Sequence, residues 1–305
     1  MSTRTMGPGA GWSWLARAVN LGRHDPRAVI GAIALVAALA LVPSILQMGA
    51  QAALGGRPDA VLTVIGLSTL VSLVVFPLLI GGALRVIDAA ERGRPAAPTA
   101  VFDTFRAGQG GGRLIGFGLL MTALYLLVFG VLIGSFGPGL PEWYAQMMQL
   151  TMEAGGRPLQ PGDLPEPPAG LGTVVALGLL LGMFLGGAWA IGFGQVALAG
   201  RGVLEAVRDG LAGALKNLLP IMLLAVLSVV GMVVLVLVVA LVGGLLMLVG
   251  ALVHPVLGML LVAPVYLGMI LLMYVVMFGV MYHMWRDICG EPVAPPPLPD
   301  NQVEL

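Results

Sequence analysis

The stretch Leu218–Trp285 reads LLPIMLLAVLSVVGMVVLVLVVALVGGLLMLVGALVHPVLGMLLVAPVYLGMILLMYVVMFGVMYHMW and contains no Asp, Glu, Lys or Arg. One crossing of a bilayer takes about 20 apolar residues. The run is far too long for one crossing and suits two, near Leu218 to Leu241 and Ala263 to His283, with material between them. Gly243-Gly244, Gly250 and His254-Pro255 are then expected in an apolar turn or a shallow re-entrant piece. Three crossings also fit the length, and would carry the C-terminus to the other side.

The rest of the chain has the same character. It is 58% hydrophobic and 10% charged, with mean hydropathy +0.99. A soluble domain carries roughly 25% charged residues, so a water-soluble fold could not cover this much apolar surface. The runs are continuous rather than alternating, which excludes the transmembrane barrel pattern. Helices, which satisfy their own backbone groups, are the remaining way to span lipid. The formal net charge is zero, so nucleic acid is not an expected partner. Cys289 is the sole cysteine, which excludes an internal disulfide and a cysteine-based metal cluster. Met1 to Asn20 lacks the short apolar core and cleavage site of a removed signal peptide.

Six spans are expected, at about 28–48, 60–84, 114–136, 171–199, 218–241 and 263–283, giving one all-α transmembrane domain over residues 1–290. Residues 137–170 form the longest loop, in which Glu142 to Glu153 is expected to make a short helix. Residues 291–305, with Pro295, Pro296, Pro297 and Pro299, read as a disordered tail. Three amphipathic segments, near Trp14, near Phe102 and over Gly200 to Asn217, each precede a pair of spans. They suggest a unit of interfacial helix plus transmembrane hairpin that occurs three times. With six spans, one side receives thirteen basic residues (Arg4, Arg17, Arg23, Arg27, Arg85, Arg92, Arg94, Arg106, Arg113, Arg201, Arg208, Lys216, Arg286) and the other only Arg57 and Arg157. The positive-inside rule makes the first side cytoplasmic. The expectation is a multi-pass protein of a bacterial inner membrane with both termini in the cytoplasm.

Particular residues carry a resemblance. Phe76-Pro-Leu-Leu-Ile-Gly-Gly82 is followed by Arg85, Asp88, Arg92-Gly93, Pro98 and Phe102 to Phe105. Together with Ala206 to Asn217, Pro220 and the closing Tyr282 to Ile288, this pattern resembles a family of uncharacterised bacterial integral membrane proteins. It is also similar to YciC-like proteins and to the membrane domain attached to some glycerophosphodiester phosphodiesterases. The resemblance spans most of the chain except the 137–170 loop and the tail. It implies a six-helix inner-membrane fold and brings no catalytic or binding residues with it.

Chemistry-bearing motifs are scarce. No ionisable residue sits at the centre of a span, where proton pumps, ion-coupled transporters and intramembrane proteases place theirs. There is no HExxH, Walker loop, GxSxG or EF-hand pattern. The chain reads as non-enzymatic, with no cofactor and no metal site. Its clearest intramembrane feature is Gly178, Gly182, Gly186, Ala190 and Gly194, small residues every four positions on one face of span four. Such a face lets helices approach closely, within the chain first, or at a dimer interface or lipid-sized crevice. Gln195 ends the ladder and is expected to hydrogen-bond a neighbouring helix, with a substrate contact as the alternative. Trp143, Tyr144, Met147, Met148 and Met152 suit an interfacial helix better than a Cu(I) site, since no Cys or His is near. His254 reads as a turn residue, His283 with Tyr282 and Trp285 as an aromatic belt, and His24 as part of a solvated face. The functional expectation is a non-catalytic protein that organises or senses membrane lipids or membrane-protein partners, a second copy of itself included. The alternative is a transporter or permeation protein for a hydrophobic or lipid-like molecule, with a cavity lined by Ser68, Ser72, Gln195 or Ser228.

Overall fold

A computed structural model describes residues 3–54, 57–154, 157 and 159–290. The Pro-rich tail lies outside the described residues. Among those described, the long elements are α2 (Pro26–Leu54), α3 (Pro58–Glu91), α4 (Gly111–Phe136), α6 (Leu171–Ala197), α8 (Leu218–Ala251) and α9 (Pro255–Ile288). All six are long and apolar enough to cross a membrane. Short elements lie between and before them: α1 (Ala10–Val19), a 3₁₀ segment (Pro98–Phe105), α5 (Leu140–Ala154) and α7 (Val203–Lys216).

The uncharged stretch resolves into two helices and a tight turn. The expected apolar break at Gly243-Gly244 and Gly250 is absent, because α8 runs straight through all three glycines. In lipid no water competes for the helical hydrogen bonds, so glycine does not end the helix. The glycines instead bring α8 and α9 together. A Cβ on Gly250 would lie 2.9 Å from the Leu257 carbonyl carbon, and one on Gly258 would meet Met247 O at 3.0 Å. The chain reverses over Leu252–His254. His254 caps α9, its Nδ1 accepting the Val256 N–H at 3.2 Å, with Pro255 at the first helical position.

The six long helices pair as hairpins α2–α3, α4–α6 and α8–α9, and the second helix of each lies innermost. α3, α6 and α9 pack on one another in all three combinations. α2 covers the seam between α9 and α3, α4 that between α3 and α6, and α8 that between α6 and α9. The molecule thus has a threefold order that no single hairpin could supply.

The short elements follow the same order, with one change from the expected unit. Each rests on the hairpin before it rather than the one it introduces. The 3₁₀ segment packs on α2 and α3, α7 on α4 and α6, and α1 closes the cycle on α8 and α9. A glycine on each inner helix makes room. A Cβ on Gly82 would stand 2.7 Å from the Val101 carbonyl carbon, one on Gly192 3.2 Å from Ala206 O, and one on Gly279 2.8 Å from the Ala18 Cα. The apolar faces read as membrane-facing accordingly split. Trp14, Ala18, Val101 and Ala206 are buried against the bundle, whereas Trp12, Phe102, Phe105, Leu204 and Leu215 stay exposed around it.

The buried core lies at the end where the arginines are. Its largest fully buried side chains include Trp14, Leu84, Ile87, Phe117, Phe193, Phe278 and Tyr282. Toward the far end burial falls away, and Leu62, Leu70, Leu126, Leu179 and Val229 are exposed.

Candidate functional site

The basic end holds a set of polar links built from one recurring position. Three residues beyond each contact glycine on an inner helix comes a polar side chain: Arg85 after Gly82, Gln195 after Gly192, Tyr282 after Gly279. Three residues is nearly one helical turn, so each polar group sits just below the contact and points into the same layer. Arg85 of α3 donates to Ala197 O of α6 at 3.1 Å. Gln195 of α6 accepts the indole N–H of Trp285 of α9 at 3.2 Å. Tyr282 of α9 donates to Asp88 of α3 at 3.2 Å. The three links join α3 to α6, α6 to α9 and α9 to α3, closing a ring.

Three carboxylates in or beside this layer are fully engaged. Asp88 is buried and also accepts from Arg92 Nε at 2.8 Å and Arg94 at 2.7 Å. That bond raises the Arg92 guanidinium further above its ordinary range, its charge being stabilised by the carboxylate. Asp209 of α7 accepts the Gln195 amide at 2.6 Å and an Arg201 N–H at 3.5 Å. Asp287 accepts the Trp14 indole at 2.8 Å and pairs with Arg17. A paired, hydrogen-bonded carboxylate is a positioning group rather than a free base.

The chain's described ends are tied into the same layer. Asn217, fully buried between α7 and α8, accepts the Met6 N–H at 2.7 Å and donates to Arg4 O at 2.9 Å. Arg4 N–H in turn reaches Ile288 O at 2.9 Å, and its guanidinium reaches Arg286 O at 2.9 Å at the end of α9. Cys289 is buried here, and loss of solvation pushes its thiol up to about 11. The thiol is therefore neutral at ordinary pH and a poor nucleophile.

The small-residue ladder of α6 divides in two. Gly178, Gly182 and Gly186 face Phe129, Leu132 and Tyr125 of α4, with room for a methyl at 3.5 Å or more. Ala190 is buried, and Gly194 lies hard against the Trp285 ring, where a Cβ would come within 2.7 Å of the Trp285 Cβ. The tight contacts also include Gly187 and Gly192, which belong to other registers than the four-residue repeat. Gln195 makes contacts to two neighbouring elements. Ser68 and Ser72 bond carbonyls of their own helix, and Ser228 is exposed on α8.

Six helices long and apolar enough to cross a membrane define the class. This chain is an all-α, multi-pass membrane protein. Compared with family models, curated proteins and solved structures, it gives no match. Two clefts open at the rim of the basic end. One of about 390 Å³ is lined by Thr3, Arg201, Glu205, Arg208 and Lys216. The other, of about 580 Å³, sets Arg106 and Arg113 against the apolar Leu78, Phe105 and Ile115. Among the described residues no group of three His, Cys, Asp or Glu is placed to hold a metal ion. The Trp143 indole donates to Pro165 O at 3.2 Å, tying α5 to the loop that leads into α6.

Proposed function

We propose that this protein organises lipid at a bacterial inner membrane without catalysis, using its basic end as a platform on the cytoplasmic leaflet. The observation that carries the reading is the closed base. Leu84, Ile87, Ile191, Phe278 and Tyr282 are each fully buried where the three inner helices meet. A protein that conducts or catalyses along this axis would need a path there, and Arg85, Gln195, Tyr282 and Asp88 are each bonded across the layer.

The rim has what a platform needs. Trp12, Phe102, Phe105, Leu204 and Leu215 are exposed apolar side chains set among arginines. An apolar wedge beside a guanidinium suits the boundary between acyl chains and anionic headgroups, each arginine near such a surface contributing about 1 kcal/mol. The cleft beside Arg106 and Phe105 repeats this pairing on a smaller scale. The resemblance to YciC-like proteins supports the same membrane and topology. So do the described N- and C-terminal residues, which meet at one end, as six spans require.

Mild extraction followed by mass spectrometry of the co-purified lipid tests the reading. Anionic phospholipid should be enriched over the bulk membrane, and Arg106→Gln should reduce that enrichment. A tightly held protein partner with no lipid enrichment would refute it. Orientation has its own test. A cysteine at exposed Ala107 should resist an impermeant maleimide added outside spheroplasts, whereas one at Thr151 should react; the reverse pattern would invert the topology. The alternative reading, permeation of a hydrophobic or lipid-like molecule, is favoured by the exposed apolar far halves of the helices and requires the closed base to open.

A further inference from the structure

The two clefts at the basic rim differ in whether they hold their own counter-ions. In the cleft of about 390 Å³, Glu205 and Asp209 both pair with Arg201, at 3.4 and 3.5 Å. The cleft of about 580 Å³ has Arg106 and Arg113 in its wall and, among the described residues, no carboxylate. Its volume lies within the range of small-molecule sites. Asp103 pairs with Arg106 at 3.0 Å from outside the lining. The two side chains are 41% and 77% exposed, so another anion replaces that carboxylate at little cost.

Contacts between α3, the 3₁₀ segment and α4 hold the walls of this second cleft. Thr104 Oγ1 donates to Leu78 O at 2.9 Å, tying the end of the 3₁₀ segment to α3. A Cβ on Gly111 would stand 2.6 Å from Thr104 O, so the start of α4 lies directly on that segment. Arg85 donates to Gln109 O at 2.8 Å and pins the connecting loop. Gly110, at φ +78°, makes room for the Arg113 guanidinium, whose Nη2 would lie 3.2 Å from a Cβ there. Arg113 Nη1 donates to Gly200 O, which leaves its Nε and Nη2 for a ligand. The N–H groups of Gly111 and Gly112 have no acceptor among the described residues. The rest of the lining is apolar, with Leu78, Phe105 and Ile115. Leu78 lies seven residues before Arg85 on α3, about 10 Å further into the apolar part of the helix.

We infer that this cleft binds one anionic phospholipid, its phosphate held between Arg106 and Arg113 and its acyl chains leaving over Leu78, Phe105 and Ile115. Charge-assisted hydrogen bonds from guanidinium to phosphate are short and strong, and two arginines in one wall supply several donors to one headgroup. The cleft passes from guanidinium at the rim to hydrocarbon beneath it, which is the polar-to-apolar order along a single phospholipid. A free phosphate would use the arginines and leave the apolar side chains idle. The inference rests on the lipid-organising reading and deepens it, replacing a generally basic rim with one site for one lipid.

The test is native mass spectrometry of the full chain in neutral detergent, titrated with phosphatidylglycerol. One lipid should bind each chain ahead of any others. Arg106→Gln should raise its dissociation constant about tenfold, the loss of one charge-assisted contact. Arg208→Gln, an equal loss of charge on exposed α7, should leave it near the wild-type value. Arg106 is exposed and pairs with Asp103 alone, so its variant should melt with the wild type. Equal weakening by the two variants would mean that rim charge, not the cleft, attracts the lipid. That result would overturn the site and leave the lipid-organising reading standing. Phosphatidylcholine binding as tightly as phosphatidylglycerol would show that the arginines select no charge, and would overturn the inference. So would displacement of the lipid by an equal concentration of glycerol 3-phosphate, which would mark a site for free phosphate. No anionic lipid bound at all would overturn the site and the broader reading together.

Discussion

Asp88→Ala should weaken the fold more than any other single truncation at the basic end. Asp88 accepts three hydrogen bonds, and its partners differ in what they lose. The Arg92 and Arg94 side chains are 48% and 59% exposed, so water replaces the carboxylate at a cost of about 0–1 kcal/mol each. The Tyr282 hydroxyl is fully buried and would be left without an acceptor, at about 1–3 kcal/mol. The sum is about 1–5 kcal/mol, dominated by the tyrosine. At roughly 2 °C per kcal/mol for a chain of this size, the melting temperature in mild detergent should fall by about 2–10 °C. The double variant separates the contributions. Tyr282→Phe alone should cost about 1 kcal/mol, and Asp88→Ala/Tyr282→Phe should be no worse than Asp88→Ala. Additive losses, or an unchanged melting temperature in Asp88→Ala, would refute the claim that this bond ties α9 to α3.

The two halves of the α6 ladder should respond oppositely to a methyl group: Gly194→Ala should destabilise by about 1–3 kcal/mol through overlap with Trp285, whereas Gly182→Ala should leave the melting temperature unchanged or raise it by up to about 1 kcal/mol in equivalent stability. Cys289 should resist maleimide in the folded protein near neutral pH and react once sodium dodecyl sulfate unfolds it. With its folded value raised to about 11, its contribution to stability is present below the ordinary thiol range and lost as pH climbs through 11, so a melting curve should fall there and flatten in Cys289→Ala. Asn217→Ala should release the segment that carries Arg4, and trypsin should then remove it faster, as seen by intact mass; an unchanged rate would show that Arg4 holds the segment without Asn217.

The spans are legible in the sequence because hydropathy depends only on local composition. The uncharged run at Leu218–Trp285 announces two crossings, though not that Gly243, Gly244 and Gly250 stay helical. Glycine signals a break in water and a close approach in lipid, and the sequence alone does not say which solvent a given turn meets. The three amphipathic segments are legible as a repeat, but their apolar stripes point equally well to lipid or to protein. A stripe looks the same whether a bilayer or another helix covers it. The polar ring is the hardest part to see. Arg85, Gln195 and Tyr282 differ in type, and their partners lie on other hairpins. The signal that reaches them is the recurrence of a glycine three residues before each, at the same depth of three inner helices.

The central claim is that the three hairpins close the basic end, so that the protein shapes the bilayer without passing anything through itself. Purified protein in vesicles carrying a fluorescent headgroup lipid, with dithionite added outside, measures this directly. Only the outer-leaflet half of the fluorescence should bleach, at the rate seen in protein-free vesicles. Loss of the inner-leaflet half, dependent on the amount of protein reconstituted, would contradict the account and favour a lipid-moving function.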